Sequence, residues 1–361
     1  MDNHLFLVST PLHLMVSIAI VDRLAIANAH LVFIDQVEGR PNPYLDLLQA
    51  WPSSPFRSVV AFYRPERSWL KKLQSRRETF RRLAALVQAL QPHHIYTGND
   101  RRVEFQLCMH EAEAAGLTPS GYYMDEGTFT YVGRKASHSW SDRFVDSPFK
   151  KLFYGSWWKH PATVGASGWI STVFASFPES IHPLLQQKKI IHLSLEFWRS
   201  QQLRNFCEQL VERIGRPPRL GEFDLIVTLP HESIIQSDAG YGRMIRQQVV
   251  DRVGQGCVVA VKYHPRDSHP DLLQLVELAG VERINPLLPF EALLPMLKTG
   301  ATVLGDFSTT LITSRLLRPD LVVEALDHGG GQGKEEFRPL YAKLGIRIIG
   351  TIMGTTTDAG R

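Results

Sequence analysis

The stretch Leu5-Phe6-Leu7-Val8-Ser9-Thr10-Pro11 decides the fold class. Four successive apolar residues predict a buried strand, and Thr10 followed by Pro11 is typical of a helix that begins directly after it. A strand that runs into a helix N-terminus is the first half of a βαβ unit. We therefore expect a parallel sheet that binds ligands at the carboxyl ends of its strands.

The alternation of apolar runs and helical patterns continues through the first half of the chain. The runs that predict strands are Ala29–Ile34, Val59–Tyr63, His94–Tyr96, Gly121–Met124 and Lys189–Leu193. From about residue 137 to residue 183 the pattern gives way to aromatic and polar residues, and an amphipathic helix is expected over Glu196–Ile214. The connection between two domains is expected in this part of the chain.

A second series of strands and helices begins after Arg216-Pro217-Pro218. Strand patterns alternate there with segments expected to be helical, near Arg243–Val253, Leu272–Ala279, Leu293–Leu297 and Leu311–Leu317. Because 361 residues exceed what one hydrophobic core organises, we expect two domains, residues 1–190 and 191–361. The absence of Gly-x-Gly-x-x-Gly favours the GT-B arrangement over a dinucleotide dehydrogenase: an α/β protein with two Rossmann-like doubly wound domains facing a central cleft.

Composition and charge exclude several classes of protein. The chain has 40 Lys and Arg against 36 Asp and Glu, a formal net charge of +4, and the basic residues are scattered, so no nucleic-acid partner is expected. Three cysteines without a Cys-x-x-Cys pair favour a reducing, cytoplasmic compartment over a disulfide framework or a cysteine zinc site. Without a secretory signal or an apolar stretch of about 20 residues, any membrane contact is expected to be peripheral.

A histidine and a proline follow the strand pattern Val258–Tyr263. Pro265 restricts the turn and would hold His264 at the carboxyl end of the strand. An imidazole in that position can donate a hydrogen bond or a proton to a departing phosphate. Taken alone, the pair also fits a histidine that caps a loop.

A hydroxyl cluster lies between the strand pattern Ala301–Leu304 and an apolar helix from Leu311. Its sequence is Gly305-Asp306-Phe307-Ser308-Thr309-Thr310. Backbone N–H groups at a helix N-terminus attract anions, and hydroxyl groups add donors without a metal, so the cluster predicts a phosphate site. Helix capping by Ser308 or Thr309 explains the same pattern equally well.

Two further sets of residues are candidates for binding or catalysis. Glu291 opens a short helix after Pro289-Phe290 and would accept hydrogen bonds from ribose hydroxyls, although a glutamate there also stabilises the helix by its charge. Asp125-Glu126-Gly127 ends a strand, and two carboxylates this close raise one pKa, as a general base requires. Thr10 and Asn99, which also follow strands, are candidate acceptor-side residues.

The order of these motifs resembles the bacterial sialyltransferases and polysialyltransferases. Their signatures are an acidic-acidic-Gly motif, a His-Pro motif and a Ser/Thr pair, matched here by Asp125-Glu126-Gly127, His264-Pro265 and Ser308-Thr309. The opening Leu7-Val8-Ser9-Thr10-Pro11-Leu12 is similar to the start of the lipooligosaccharide sialyltransferase family. The resemblance covers motifs in both halves and leaves most of the sequence between them unmatched.

This resemblance implies an inverting, metal-independent transfer of sialic acid, or a related nonulosonate, from a CMP-activated donor to a glycan hydroxyl. Asp125, or next to it Glu126, would deprotonate the acceptor, and His264 would assist the departing phosphate. Ser308 and Thr309 would hold the phosphate and Glu291 the ribose. Thr309 replaces the second serine of many relatives and keeps the hydroxyl. The implied products are lipooligosaccharide, capsule or other surface glycans, and the implied partners are the donor and a glycan or glycolipid acceptor.

Other functions fit parts of the same pattern. A transferase that uses CMP-Kdo or CDP-glycerol would share Lys262-Tyr263-His264-Pro265 and Gly305-Asp306-Phe307-Ser308, and the acidic turn favours the sialyltransferase. A non-catalytic nucleotide-binding protein would keep the phosphate site without the chemistry. Acceptor, linkage and oligomeric state cannot be read from the sequence.

No metal or cofactor is expected. The chain has no His-Glu-x-x-His helix and no cysteine cluster, so side chains are expected to stabilise the leaving group. The glycine-rich segment 328–335 lacks the P-loop spacing. Residues 149–154 with Trp157, Trp158 and Lys159 mix aromatic and cationic side chains, as at the inner face of a cytoplasmic membrane, although such clusters often pack within a protein.

Overall fold

The computed structural model describes residues 2–39, 42–64, 69–133, 155, 157–327, 335 and 337–350. The chain forms two compact units, Met1–Gln209 and Leu210–Arg361. This division falls later than the boundary expected after residue 190. A cut at residue 190 would pass through a strand, Lys189–His192, that belongs to the sheet of the first unit.

The first unit contains a seven-stranded sheet in which every neighbouring pair of strands is parallel. Its strands are β1 (His4–Val8), β2 (Ala29–Val37), β3 (Ser58–Arg64), β4 (His94–Thr97), β5 (Ser120–Met124), β6 (Ile170–Ala175) and β7 (Lys189–His192). Their spatial order is β3-β2-β1-β4-β5-β6-β7. The order reverses at β1, so the crevice between β1 and β4 is where an open sheet of this kind binds a ligand.

Helices connect the strands of the first unit. They are α1 (Pro11–Arg23), α2 (Pro43–Ala50), α3 (Trp69–Leu90), α4 (Val103–Ala114), α5 (Thr128–Val132), α6 (Leu195–Trp198) and α7 (Gln201–Ile214), the last of which continues into the second unit. Leu5, Phe6, Leu7 and Val8 of β1 are at most 1% exposed, as expected for a strand covered on both faces.

The second unit contains a six-stranded sheet that is also parallel throughout. Its strands are β8 (Leu225–Thr228), β9 (Val259–Lys262), β10 (Val281–Arg283), β11 (Thr302–Gly305), β12 (Val322–Asp327) and β13 (Arg347–Gly350). In the order β10-β9-β8-β11-β12-β13 the reversal falls at β8. The predicted fold class, α/β with two doubly wound parallel sheets, is therefore confirmed.

The helices of the second unit are α8 (Glu232–Ser237), α9 (Ala239–Gly254), α10 (Phe290–Leu293), α11 (Thr309–Leu317) and α12 (Arg338–Leu344). The helix expected over Leu272–Ala279 is absent, and this segment forms turns. The carboxylate of Asp271 accepts the backbone N–H groups of Leu275 and Val276, and Gln274 has φ 51°, which interrupts a helix. Within the described ranges, no helix is long and apolar enough to cross a membrane.

Candidate functional site

Three loops of the second unit follow the carboxyl ends of adjacent strands. His231 follows β8, His264-Pro265 follows β9, and Ser308 follows β11. Because β8 lies between β9 and β11, these loops share one edge of the sheet at the strand-order reversal. The predicted residues His264, Pro265 and Ser308 therefore lie where a nucleotide would be expected to bind.

Ser308 occupies the N-cap position of α11, yet its side chain makes no capping hydrogen bond. Its backbone is held instead by Tyr341, whose hydroxyl oxygen accepts the Ser308 N–H at 2.7 Å and donates to the Ser308 carbonyl at 3.0 Å. The Tyr341 ring stacks on Phe307 with ring centroids 4.9 Å apart. The Ser308 hydroxyl is thus not used for capping, and a hydroxyl beside a helix N-terminus is the pattern of an anion site.

Thr309 and Thr310 form the first turn of α11, and both are half-buried. The hydroxyl groups of Thr313 and Ser314, one turn further along the helix, donate hydrogen bonds to the carbonyl groups of these two threonines. The two threonines therefore hold their place next to Ser308 as the sequence predicts.

A glycine sets the spacing between the two strands at the reversal. A Cβ atom at Gly305 would lie 2.4 Å from the Thr228 Oγ1 atom and 3.1 Å from the Thr228 carbonyl oxygen. Only glycine therefore lets the end of β11 approach the end of β8 this closely.

His264 is half-buried and has a defined hydrogen-bonding pattern. Its Nδ1 atom accepts the backbone N–H of Arg266 at 3.3 Å, and its own backbone N–H donates to Asp267 at 3.1 Å. Burial lowers its pKa below the usual value of 6.5, and the nearby Arg266 lowers it further. At neutral pH the imidazole is therefore neutral, and because Nδ1 accepts a hydrogen bond, its proton lies on Nε2.

Glu291 lies in the first turn of α10, close enough to Lys262 for each to affect the pKa of the other. Burial raises the pKa of Glu291, while its own backbone N–H and Lys262 oppose the change. Lys262 is 8% exposed, and burial lowers its pKa to about 8. Its Nζ atom donates to the Pro286 carbonyl at 3.1 Å. α10 packs against α11, which brings Glu291 to the helix that carries Ser308.

Asp125 and Glu126 follow β5 in the first unit, as predicted, but their surroundings differ. Asp125 is 4% exposed and accepts the backbone N–H groups of Gly127 and Ser176, each at 2.9 Å, and the Tyr131 hydroxyl. Glu126 is half-buried, and its backbone N–H donates to Thr130 at 3.2 Å. Gly127 has φ 94°, a conformation that favours glycine.

Thr10 and Asn99 both lie at the β1–β4 reversal and use their side chains locally. The Thr10 hydroxyl caps α1 by accepting the His13 N–H at 3.2 Å. The Asn99 side chain accepts the Arg101 N–H at 3.0 Å. Both side chains therefore shape the loops around the reversal, and their acceptor-side role stays a prediction.

Three residues at this edge of the first sheet were missed by the sequence analysis: His13, Asp35 and Arg102. His13 is 3% exposed, and a Cβ atom at Gly98 would lie 2.1 Å from its Nε2 atom. Burial, followed by the charge of Arg102, lowers the His13 pKa to about 4. Arg102 forms an ion pair with Asp35 at 2.7 Å. The glycine that follows Thr97 is the sequence signal for this close contact.

One group of side chains in the described part of the chain has the composition of a metal site. His231, His264 and Asp267 each offer one ligand atom, and these atoms lie within 4.8 Å of one another. The sequence analysis did not predict this group, because its members are separated in the sequence and meet only where β8 and β9 end.

Trp157 and Trp158 belong to the aromatic cluster that was considered for membrane contact, and both pack within the first unit. Trp157 stacks on His110 with ring centroids 5.5 Å apart, and Trp158 is 5% exposed. These positions give no support to a membrane-facing role. Residues 149–154 and the glycine-rich residues 328–334 lie outside the described residues.

Solved structures are similar to this chain in fold. The UDP-GlcNAc 2-epimerase from Methanocaldococcus jannaschii has a TM-score of 0.58 at 11% identity, covering 97% of this chain and 89% of that chain. The 2,6-sialyltransferase of Photobacterium sp. JT-ISH-224, solved with the donor product CMP and the acceptor lactose, has a TM-score of 0.55 at 11% identity, with coverages of 96% and 78%. The GT-B domain of the sialyltransferase from Photobacterium damselae has a TM-score of 0.54 at 11% identity, with coverages of 97% and 100%.

No protein-family model and no curated protein sequence matches the chain. The likeness to solved structures therefore establishes the fold class alone, and this fold is GT-B. Glycosyltransferases and epimerases of nucleotide sugars share it, so the fold does not define the reaction.

Proposed function

We propose that the protein is a glycosyltransferase that moves sialic acid, or a related nonulosonate, from a CMP-activated donor to a glycan hydroxyl. The observation that carries the proposal is the uncapped N-terminus of α11, where the Ser308 hydroxyl makes no hydrogen bond to the helix. Its position at the strand-order reversal, on the same sheet edge as His264, supports a phosphate-binding role.

The donor is held by the second unit in this proposal. The phosphate lies against the N-terminal turn of α11, residues 308–310, where the Ser308 hydroxyl donates a hydrogen bond to it, and it accepts a second one from the Nε2–H of His264. Glu291 accepts hydrogen bonds from the ribose hydroxyls. The choice of cytidine rests on the resemblance of the three motifs to sialyltransferases.

The reaction is a single displacement. The acceptor oxygen forms a bond to the anomeric carbon as the bond from that carbon to the CMP phosphate oxygen breaks, and the acceptor proton passes to a carboxylate of the Asp125-Glu126 pair. Attack opposite to the leaving group inverts the anomeric configuration. His264 stabilises the charge that develops on the phosphate by donating a hydrogen bond, which does not require a metal.

A second candidate is an epimerase of a UDP-activated sugar, favoured by the similarity to the epimerase from Methanocaldococcus jannaschii, with a TM-score of 0.58. The acidic-acidic-Gly turn after β5 is the feature that favours the transferase. The two candidates differ in the nucleotide that they bind, which makes nucleotide preference the first property to measure.

The test is thermal unfolding of the full chain with CMP, CDP, UMP, UDP, GDP and NAD, because a ligand that binds only the folded state raises the unfolding temperature. CMP is expected to give the largest shift. The Ser308→Ala variant should bind CMP about 10-fold to 100-fold more weakly, the loss of about 1.5–3 kcal/mol expected for a hydrogen bond to a charged group. Ser237→Ala, which removes an exposed hydroxyl at the end of α8, is the matched control.

Ser308→Ala should leave the free energy of unfolding without ligand nearly unchanged, because no capping bond is lost. Asp238→Ala removes a side chain that caps α9 by accepting two backbone N–H groups, and it should cost about 1 kcal/mol in urea unfolding. A comparable cost for Ser308→Ala, with unchanged CMP affinity, would identify Ser308 as a structural cap. A larger shift with UDP than with CMP would favour the epimerase.

A further inference from the structure

His231 lies at the centre of the proposed phosphate-binding edge, although no sequence motif identifies it. It follows β8, the strand at the reversal, and is half-buried. Its ring lies against that of His264, with centroids 5.3 Å apart and an angle of 69° between the rings. Two imidazoles therefore meet at the ends of neighbouring strands.

The hydrogen bonds around the two rings determine where their protons lie. The Nδ1 atom of His231 accepts the backbone N–H of Ser233 at 3.2 Å, and that of His264 accepts the backbone N–H of Arg266 at 3.3 Å. A backbone N–H can only donate, so both Nδ1 atoms are unprotonated. Each neutral imidazole consequently carries its proton on Nε2 and is a donor there.

Asp267 fixes the two histidine loops relative to each other. One of its carboxylate oxygens accepts the backbone N–H of Glu232 at 2.9 Å, and the other accepts the backbone N–H of His264 at 3.1 Å. The loop after β8 is thereby tied to the loop after β9, next to both rings. Asp267 is a positioning residue whose charge is balanced by two backbone donors.

This pattern opposes a metal ion and suits an anion. A metal at Nε2 would require the proton to move to Nδ1, where it would point at a backbone N–H, and a metal at Nδ1 would displace the backbone N–H that this atom accepts. Histidines that bind metals instead donate from the other ring nitrogen to an acceptor. Charges of both signs lie nearby: Arg266 and Lys262 lower the pKa of His264 and Asp267 raises it, and the effect of Arg266 is larger than that of Asp267.

We propose that His231 is a second phosphate-binding residue, whose Nε2–H donates together with that of His264 to the phosphate of a bound nucleotide. The identity of that nucleotide as CMP rests on the proposed function, whereas the two-histidine clamp, His231 with His264, rests on the geometry of the second unit. The clamp contacts phosphate and not the base, so its removal should weaken phosphate-bearing ligands selectively.

The test is calorimetric titration of the full chain with CMP and with cytidine, which lacks the phosphate. His231→Asn keeps an acceptor for the Ser233 N–H, and asparagine is a good N-cap residue, so the start of α8 is retained while the donor no longer reaches the phosphate. The variant should bind CMP about 10-fold more weakly and cytidine unchanged. His269→Ala, an exposed histidine in the neighbouring loop, is the control and should bind both as the unmodified protein does.

Unchanged CMP affinity in His231→Asn, or an equal loss for cytidine, would overturn the clamp. If the unmodified protein binds no CMP, the proposed function fails, and UMP, UDP and pyrophosphate then test the clamp by the same comparison. Binding of none of these phosphates would overturn it as well. Nitrogen NMR should show Nε2–H tautomers for both histidines, and Zn²⁺ binding that is lost in His231→Asn would show a metal site instead.

Discussion

The neighbouring acids Asp125 and Glu126 differ in what their side chains contact. Asp125 accepts three hydrogen bonds from Gly127, Ser176 and Tyr131, and these use most of the lone pairs of its carboxylate. Glu126 is half-buried. The sequence placed Asp125 first as the candidate base, with Glu126 close behind. Because three donors already engage the Asp125 carboxylate and shape the turn, we propose Glu126 as the proton acceptor.

We expect Glu126→Gln to lower the rate of glycosyl transfer by about 10²-fold to 10⁴-fold, the usual contribution of a general base, while CMP affinity and the unfolding temperature stay unchanged. Asp125→Asn should lower the free energy of unfolding by about 1–3 kcal/mol, because the NH2 group of asparagine would face the N–H and hydroxyl donors that the carboxylate now accepts. Steady-state kinetics and urea unfolding of both variants measure this. A full transfer rate in Glu126→Gln, with loss only in Asp125→Asn, would restore Asp125 as the base.

At the scale of single elements, the sequence predicted the strands that are covered on both faces, because each reads as a continuous apolar run. It missed β13, an edge strand that is exposed at both ends and only half-buried between them, and β6, which lies among aromatic and polar residues. It also predicted a helix over Leu272–Ala279, where the Asp271 side chain stabilises turns instead. Hydrogen bonds from a side chain to the backbone carry no periodicity, so they are invisible to a pattern of apolar residues.

The approach of β8 to β11 depends on Gly305. Gly305→Ala would place a Cβ atom 2.4 Å from the Thr228 hydroxyl oxygen, so the strands must separate. We expect a loss of about 1–3 kcal/mol in the free energy of unfolding, together with weaker CMP binding. Gly254→Ala, where nothing lies within 4 Å of the added Cβ, is the control. Thr228→Ala in the same chain should partly rescue Gly305→Ala, and a fully stable single variant would contradict the proposed contact.

Burial of His13, a residue of the first turn of α1, against Gly98 in the loop after β4 should make the protein sensitive to mild acid. Its pKa is lowered from 6.5 to about 4, so the unfolded chain binds a proton between these pH values and the folded chain does not. The free energy of unfolding therefore falls as the pH drops from 6.5 to 4, by about 3 kcal/mol at most from this residue. His13→Gln should flatten the dependence in urea unfolding at pH 7 and pH 5. An unchanged slope would show that other groups cause it.

At the scale of the whole molecule, the sequence predicted the two α/β halves and the order of the motifs along them. It could not predict that His231 meets His264, because residues 33 positions apart come together only through the pairing of β8 with β9. The sequence also could not show whether Ser308 caps its helix. A serine that precedes a helix looks the same in the sequence whether it caps the helix or binds a ligand. In the structure the Ser308 side chain makes no capping hydrogen bond, and the fold alone does not distinguish transferase from epimerase.

The most direct test of the account is to incubate the full chain with CMP-sialic acid and a galactoside acceptor such as lactose, in the presence of EDTA, and to measure the release of CMP and the sialylated product. We expect release that depends on the acceptor, survives EDTA and is lost in Glu126→Gln. Epimerisation of UDP-GlcNAc by the same preparation, without any turnover of CMP-sialic acid, would contradict it.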